Sequence, residues 1–398
     1  MNIAFFDDDH RDQFLPLVYT RPVSELRLGI VTIREKWEKR LQASNSKWLT
    51  ADYLSKKYPA PTEGDYLYIN GRCLPNEATL EAISSLEKGE AITQGDFLIA
   101  AFFGDNEVAK INTGKDIEAL DLEILAFEGE ISQVRDLTDL FKMNASELKL
   151  DFELLTQGRN SQPLHESNTI IGDKSQIFLE EGAEIVASII NVTDGPVYLS
   201  ENASISEGCM VKAGLALGQS AQLKMGTKIY GASTFGPHCK VGGEVNNSIL
   251  MGYSNKGHDG FLGNSIIGEW CNLGADTNTS NLKNNYGEVS IWSYTEQKMV
   301  PTGGQFCGLI MADHAKSGIN TMFNTGTVAG VSANIFGGGF PPKMIPSFSW
   351  GGEAGLTEFR IEKAFEVAER MMSRRGIQFD QTEQDIMTAV FQQTQPHR

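Results

Sequence analysis

Large apolar residues recur at every sixth position through the middle of the chain, and a small or aliphatic residue follows each of them four positions later. The uninterrupted positions are Leu199, Ile205, Val211, Leu217, Leu223, Ile229, Phe235 and Val241. A period of six predicts short strands joined by turns, with three strands to a coil and one large residue of each strand pointing inward. Stacked coils bury one continuous column, in which each large side chain stabilises the fold by about 1.5–3 kcal/mol.

The repeat returns twice more, and two non-repeating inserts, at 253–260 and 282–305, separate the sets. We expect the inward positions to continue at Phe261, Ile267, Leu273, Ile319, Thr325 and Val331. Loops that project from a rigid scaffold often carry binding residues, so the inserts are the expected place of a ligand site. Four glycines are predicted to adopt a positive φ in the turns: Gly208, Gly214, Gly226 and Gly236.

The chain before residue 160 alternates apolar strands with helical segments instead. The pattern predicts strands at 2–6, 66–70 and 97–103, and helices at 32–42 and 76–88. Such alternation favours an α/β domain with a mainly parallel sheet, whose ligands usually lie at the carboxyl ends of the strands.

The last segment has the spacing of amphipathic helices. Residues 357–375 predict one helix, and Asp380 with Glu383 predicts the start of a last one. We expect these helices to pack on the coils without a catalytic role. The predicted domains are therefore an α/β domain at 1–160, a coil domain at 161–352 and a helical extension at 353–398.

Composition narrows the functional classes. The 398 residues suit two domains rather than one core, and 41% apolar with 21% charged residues is typical of a globular protein. The formal net charge of -17 disfavours nucleic acid and anionic membranes as partners, so a phosphorylated ligand needs a local basic cluster. The chain has no long apolar run, and an acidic start is unlike a signal peptide; together these predict a cytoplasmic location.

Residues 255–287 carry the most specific motif, a Gly-His pair followed by Asn-Leu-Gly-Ala and a later asparagine. This segment resembles the acetyltransferase part of the bifunctional N-acetylglucosamine-1-phosphate uridyltransferase/glucosamine-1-phosphate N-acetyltransferase family. The matching residues are His258, Asn272, Ala275 and Asn281. The hexapeptide repeat itself is similar to that of acyltransferases built as left-handed parallel β-helices, usually homotrimers that hold acyl-coenzyme A between subunits.

The resemblance implies roles for these residues, with acetyl-coenzyme A as co-substrate. His258 would be the general base, since a histidine titrates near neutral pH, and Asn272 and Asn281 would contact the sugar amine and the acetyl group. Ala275 would contact the coenzyme, and His314 is a second candidate for the base or for a ligand contact. The alternative for His258 is a turn residue that bonds only its own loop.

This sequence departs from the family at the sugar-phosphate site. Phe261 stands where the family has a tyrosine, and the basic residues that hold the sugar phosphate have no clear match. Lys228 and Lys256 are candidate substitutes. The acetyl transfer is therefore better supported than the identity of the acceptor.

The whole chain also resembles a bacterial branch of sugar nucleotidyltransferases, through residues 15–37, 68–72 and 318–352. The resemblance implies a Rossmann-like nucleotidyltransferase domain. This chain departs from that family in two places. The loop after the first strand, at 7–14, has no glycine. At 70–72 an Asn-Gly-Arg replaces the family's Asn-Gly-Asp, whose aspartate holds Mg²⁺. Candidate phosphate ligands are Arg11, Arg21 and Arg72, and candidate Mg²⁺ ligands are Asp7, Asp8 and Asp9.

Three functions compete on this evidence. The first is an acetyl-coenzyme A-dependent N-acetyltransferase on an amino-sugar phosphate, coupled to nucleotidyl (uridylyl) transfer in nucleotide-sugar biosynthesis. The second is a non-catalytic or single-activity nucleotide-sugar binding protein with a degenerate N-terminal domain. The third, metal-dependent hydrolysis by converging histidines, is disfavoured because His238, His258 and His314 lack a close pair.

Overall fold

The computed structural model describes the chain except for residues 1, 44, 105–106, 108–109 and 111–113. Its contacts form two compact units. The first comprises Met1–Leu26 and Val31–Leu137, and the second comprises Arg27–Ile30 and Thr138–Arg398. The domain limits at residues 160 and 352 stay predictions.

The first unit is built on a six-stranded sheet in which one strand runs against the other five. The sheet order is β2-β1-β3-β6-β5-β7, and only β6 is antiparallel to its neighbours. A short antiparallel pair, β4 with β8, lies beside it. The strands are β1 Ile3–Phe6, β2 Ser46–Leu49, β3 Tyr66–Asn70, β4 Cys73–Leu74, β5 Glu90–Gln94, β6 Phe97–Phe103, β7 Glu123–Ala126 and β8 Ser132–Gln133.

Two helices flank this sheet, α1 at Ile33–Leu41 and α2 at Glu77–Ser84. Each begins where a polar residue caps its first turn, Thr32 for α1 and Asn76 for α2. Short 3-10 helices lie at Arg11–Phe14, Leu17–Tyr19, Val23–Glu25, Asp52–Leu54 and Gly114–Ala119. The mainly parallel α/β domain predicted from the sequence is confirmed, with three predicted strands and two predicted helices in place.

The second unit is a β-helix whose three walls are parallel sheets. The first wall contains β10 Ile177–Leu179, β13 Val197–Leu199, β16 Leu215–Leu217, β19 Ser233–Phe235, β22 Ile249–Gly252, β25 Ile266–Glu269, β30 Leu309–Met311, β33 Thr327–Ala329 and β35 Met344–Ile345. The second contains β11 Glu184–Ile185, β14 Ser204–Ile205, β17 Gln222–Leu223, β20 Lys240–Val241, β23 Asn255–Lys256, β26 Asn272–Leu273, β31 Lys316–Ser317, β34 Asn334–Ile335, β36 Ser349–Gly352 and an antiparallel β37 Gly355–Glu358.

The third wall is shorter and is followed by a separate pair of strands. It contains β9 Thr169–Ile171, β12 Ile189–Asn191, β15 Met210–Lys212, β18 Lys228–Tyr230, β21 Glu244–Asn246 and β24 Phe261–Gly263, while β27 Asn278–Thr279 pairs with β32 Met322–Phe323. The insert at 282–305 contains an antiparallel hairpin of β28 Ser290–Ser293 and β29 Lys298–Pro301. The left-handed parallel β-helix predicted from the sequence is confirmed.

The predicted apolar column is the core of this β-helix. All eight large residues from Leu199 to Val241 are at most 2% exposed and belong to one cluster. The phase changes after Val241, however, because the next coils span 15 to 17 residues instead of 18, and it changes again at the insert 282–305. Phe261 is half-buried while its neighbour Leu262 is fully buried, and Ile319 is 71% exposed, so both expectations of an inward position were wrong.

The turn glycines divide into two kinds. Gly208 and Gly226 have the predicted positive φ, of 74° and 72°. Gly214 and Gly236 do not, and close packing accounts for Gly236, because a Cβ there would lie 1.8 Å from the carbonyl oxygen of Met251.

A long helix and a short chain segment pack on the β-helix within the second unit. The helix, α3, spans Leu137–Thr156, and its Phe152 ring meets Tyr198 edge-on at 6.4 Å. Asn144 of α3 accepts from the Gly29 amide at 2.7 Å and donates to the carbonyl of Ala232 at 3.0 Å. Buried polar groups are thus paired across three segments.

Two further helices complete the second unit, α4 at Ile361–Ser373 and α5 at Gln381–Gln393. The first helix predicted here begins later than expected because residues 355–358 form β37. Asp380 caps α5, with its carboxylate accepting from the Glu383 amide at 3.0 Å. Within the described residues, no helix has both the length and the apolar character needed to cross a bilayer.

Candidate functional site

Four aromatic rings stack along one corner of the β-helix. They belong to His238, Tyr253, Trp270 and His314, each of which turns the corner with a φ between 54° and 60°. Successive ring centroids are 5.2, 4.3 and 6.3 Å apart, and the planes are tilted by at most 20°. We call this row the ring ladder. It forms because equivalent turn residues of stacked coils lie directly above one another.

A cavity of about 790 Å³ lies against this corner and contains three predicted site residues. His258, Asn272 and Ala275 line it together with Tyr253 and Trp270 of the ring ladder. Asn272 stands beside Asn255 because β23 and β26 pair in parallel at these two residues. Three of the four motif residues therefore lie at one cavity, which we call the groove.

His258 lies in the turn between β23 and β24, and its side chain is exposed. The turn is supported from both sides, since the carbonyl of Gly260 accepts from the Glu244 amide and the carbonyl of Asp259 accepts from the Asp276 amide. Both bonds join the turn to the coils before and after it.

Lys256 is two residues before His258, but its ammonium does not reach solvent. The residue is 2% exposed, and its Nζ donates to the carbonyl oxygens of Gly242 at 3.0 Å and His258 at 2.8 Å. Burial lowers the pKa of Lys256 to about 8, against the opposing charges of Asp259 and Asp276. Two of the three N–H donors of this candidate substrate ligand are thus bonded to the backbone.

Four cations also line the groove: Lys224, Lys240, Arg374 and Arg375. Burial lowers the pKa of Lys240, and the nearby positive charges of Arg375, Lys224 and Arg374 lower it further. Like charges gathered in this way repel one another, so an anion entering the groove would be stabilised. This is the local basic cluster that an acidic protein needs to bind a phosphorylated ligand.

Four other predicted residues do not line the groove of this chain. Asn281 donates through Nδ2 to Oδ1 of Asn264 at 2.8 Å, and Phe261 is half-buried, with its amide donating to Asn278 at 2.8 Å. Lys228 is exposed on the third wall, and His314, the last ring of the ring ladder, is 6% exposed.

A second cavity, of about 640 Å³, lies in the first unit where β1 and β3 end. Asp8, Asp9, His10, Asn70 and Arg72 line one part of it. The remaining lining residues are Gln94, Asp96, Phe97, Leu98, Gln133 and Arg135. The position agrees with the rule that ligands bind at the carboxyl ends of parallel strands.

Arg72 and Asp8 are joined tightly at this cavity. Nε and Nη2 of Arg72 donate to the Asp8 carboxylate at 2.6 to 3.0 Å, and Asn70 donates to it at 3.0 Å. Burial by itself would raise the pKa of Asp8, but the bonds and charge of Arg72 outweigh it, so the pKa lies below its ordinary value. Nη1 of Arg72 is bonded to Gln133 and to the carbonyl of Val134.

Asp7 is engaged in the same way on the other side of the loop. It accepts from Thr50 at 2.6 Å and from the Val23 amide at 2.9 Å, and it forms an ion pair with Arg11 at 3.2 Å. Burial raises the pKa of Asp7 despite the nearby charge of Arg11. Arg11 also donates to the carbonyl of Val18, and Arg21 is 5% exposed; neither lines the cavity.

The hydrogen bonds and ion pairs of Asp7 and Asp8 do not fit a Mg²⁺ site. Asp8 is bonded to a guanidinium and Asp7 to three donors, so neither presents a free pair of oxygens. In the part of the chain that is described, no cluster of three or more histidine, cysteine, aspartate or glutamate residues suits a metal ion.

Sequence reasoning missed the groove's aromatic and basic walls. Tyr253 and Trp270 are 17 residues apart, as are the inward positions of their coils, so a search for aromatic residues at coil spacing would have found them. Arg374 and Arg375 come from a segment more than a hundred residues further along, and no local pattern connects them to His258.

Comparisons with known proteins identify related transferases. Residues 3–160 match the family of sugar nucleotidyl transferases. The chain is 27% identical over 165 residues to the bifunctional sugar-1-phosphate nucleotidylyltransferase/acetyltransferase of Sulfurisphaera tokodaii, covering 36% of this chain and 41% of that protein.

Two other relatives carry the name bifunctional protein GlmU. The one from Methanocaldococcus jannaschii is 36% identical over 87 residues, which are 22% of this chain and 21% of that protein. The one from Synechococcus elongatus is 23% identical over 235 residues, which are 54% of this chain and 48% of that protein. The chain thus spans less than half the length of each of these three relatives. The predicted resemblance to bifunctional transferases is confirmed.

Proposed function

We propose that the second unit is an acetyl-coenzyme A-dependent N-acetyltransferase acting on an amino-sugar phosphate, and that the first unit serves sugar-1-phosphate nucleotidyl transfer. One observation supports the proposed acetyl transfer above all. His258, Asn272 and Ala275, which the motif singles out, line the same groove as four cations. The names of the relatives support both parts.

The groove offers the groups that acetyl transfer needs. The amine of the sugar attacks the thioester carbonyl, a carbon–nitrogen bond forms, and the carbon–sulfur bond breaks to release coenzyme A as a thiol. His258 would take the proton that the amine loses, and the Asn272 amide would donate to the oxyanion of the tetrahedral intermediate. Neither role requires a metal ion.

The cations suit the phosphate groups of coenzyme A. Lys224 follows β17 and Lys240 lies in β20, so they stand in the coils before the one that holds Asn272. A coenzyme lying along the groove could thus place its phosphates against the cations and its thioester near His258. The resemblance to trimeric acyltransferases implies a homotrimer, in which a neighbouring copy would cover the exposed side chain of His258.

Thiol release from acetyl-coenzyme A in the presence of glucosamine-1-phosphate tests the acetyl transfer. His258→Ala should lower kcat by about 100-fold or more, which is the usual loss when a general base is removed. His165→Ala is the matched control, because His165 is exposed and lies outside both cavities. Unchanged activity of His258→Ala would remove this residue as the base.

A second candidate for the first unit is nucleotide-sugar binding without turnover. The bonding of Asp8 to Arg72 favours it, because the carboxylate is engaged by a guanidinium rather than free. Pyrophosphate release from UTP and a sugar-1-phosphate decides between the two. Turnover supports nucleotidyl transfer, whereas binding of a UDP-sugar with no turnover, with or without added Mg²⁺, supports the second candidate.

A further inference from the structure

Lys256 occupies an inward position of the β-helix, where most coils have an apolar residue. Its register partner in the preceding coil is Val241, a member of the apolar column. An ammonium group in such a place costs free energy unless hydrogen bonds satisfy it. The partners that satisfy Lys256 therefore indicate what the residue does.

Both observed acceptors of Lys256 are backbone carbonyls, and they lie in different segments. The Gly242 carbonyl belongs to the preceding coil. The amide of Gly242 in turn donates to the carbonyl of Lys256 at 2.6 Å. The His258 carbonyl belongs to the turn that enters the groove. The ammonium thus ties this turn to the rigid coil beside it.

The space around this bond leaves the turn little freedom. A Cβ at Gly242 would lie 2.7 Å from the carbonyl oxygen of Gly257, and one at Gly260 would lie 2.2 Å from that of Thr277. The turn is thus closely packed between the coils before and after it, and Lys256 gives it a charge-assisted anchor. Such bonds are about twice as strong as those between neutral groups.

We propose that Lys256 is a positioning residue for His258: its buried ammonium fixes the His258 carbonyl and thereby the direction in which the imidazole enters the groove. This inference rests on the proposed acetyl transfer and on His258 as its base. It differs from the role expected from the sequence, in which Lys256 contacts the substrate itself.

The test compares Lys256→Met, His258→Ala and the double variant of the full chain, each assayed for thiol release with glucosamine-1-phosphate. Methionine keeps the length and apolar stem of lysine but cannot donate. Lys256→Met should lower kcat by about tenfold or more and leave the KM for acetyl-coenzyme A within about twofold, because small misplacements of a catalytic group act on the chemical step. In the His258→Ala background the same change should have no further effect.

Hydrogen exchange measured by mass spectrometry gives a second readout that does not need activity. In Lys256→Met, amides of residues 257–260 should exchange about tenfold faster, as expected when one charge-assisted bond is lost, while peptides from β15 to β18 keep their rates. Lys316→Met serves as the comparison for stability, because Lys316 is partly buried and its Nζ likewise donates to a backbone carbonyl, that of His314, at 2.7 Å.

The outcomes separate the inference from the function on which it rests. Unchanged kcat in Lys256→Met, or an equal loss in the presence and absence of His258, would overturn the positioning role. Full activity of His258→Ala, or no acetylation by the natural protein, would instead overturn the proposed function. In that case, unchanged exchange at 257–260 would reject the anchoring by Lys256 as well.

Discussion

Nη2 of Arg72 lies 2.6 Å from Oδ2 of Asp8, and the two side chains are only 6% and 14% exposed. Removing one partner of such a pair leaves the other charge buried without compensation. Arg72→Met should therefore lower the free energy of unfolding by about 3–5 kcal/mol, measured by denaturant titration of the full chain.

Two further variants show whether the pairing is the cause of that loss. The double variant Asp8→Asn/Arg72→Met should recover part of the stability, since no uncompensated charge remains. Lys88→Ala is the exposed control, because its pair with Asp65 is about half exposed, and it should cost less than about 1 kcal/mol. Equal losses in Arg72→Met and the double variant would contradict this account.

Lys316 should make stability depend on pH in the alkaline range. Burial lowers its pKa from 10.5 to about 8. Between these values the folded protein has released a proton that the unfolded chain still holds, so unfolding becomes harder as the pH rises. From pH 7 to 10.5 the natural protein should gain about 3 kcal/mol relative to Lys316→Met. Parallel stability curves for the two proteins would show that the lysine does not titrate in this way.

The groove cations should act on coenzyme binding rather than on the chemical step. Lys240→Ala should raise the KM for acetyl-coenzyme A by about tenfold while kcat stays within about twofold, and the effect should shrink at high salt. Lys212→Ala is the matched control, because Lys212 is an exposed lysine of β15 outside the groove. A fall in kcat with unchanged KM in Lys240→Ala would argue against coenzyme binding at this place.

Trp270 should report the arrival of a ligand in the groove. It stacks on Tyr253 with centroids 4.3 Å apart, and both rings line the cavity. Titration with acetyl-coenzyme A should change the tryptophan fluorescence, and Trp270→Phe should abolish that change while four other tryptophans remain. A signal that persists in the variant would place the coenzyme elsewhere.

The structure could be predicted from the sequence wherever a local period of apolar residues determines it. The apolar column from Leu199 to Val241 could be read from spacing, because each coil repeats the same environment. The period failed at Phe261 because the coils around it span 15 to 17 residues instead of 18, and at Ile319 because the insert at 282–305 shifts the phase. Tertiary packing sets that shift, and no six-residue window contains it.

The candidate sites, too, could be predicted only where their residues lie close together in the sequence or in one motif. His258, Asn272 and Ala275 lie within one motif, and the parallel register of stacked coils brings them together. The bond between Asp8 and Arg72 joins residues 64 apart and depends on the ends of two neighbouring strands. Likewise, only the burial of Lys256 distinguishes an anchor of the backbone from a ligand of the substrate.

Helix α3 and residues 27–30 set a limit on how the chain can be divided for study. In α3, Leu148 lies against Gly214 and Phe152 against Tyr198 of the β-helix, and Thr234 donates to the carbonyl of Gly29 at 2.6 Å. A gene fragment starting at codon 161 would encode coils stripped of both coverings, with apolar surface bare to water. Insolubility of such a product would reflect the place of the cut and carry no information on whether the acetyltransferase half works alone.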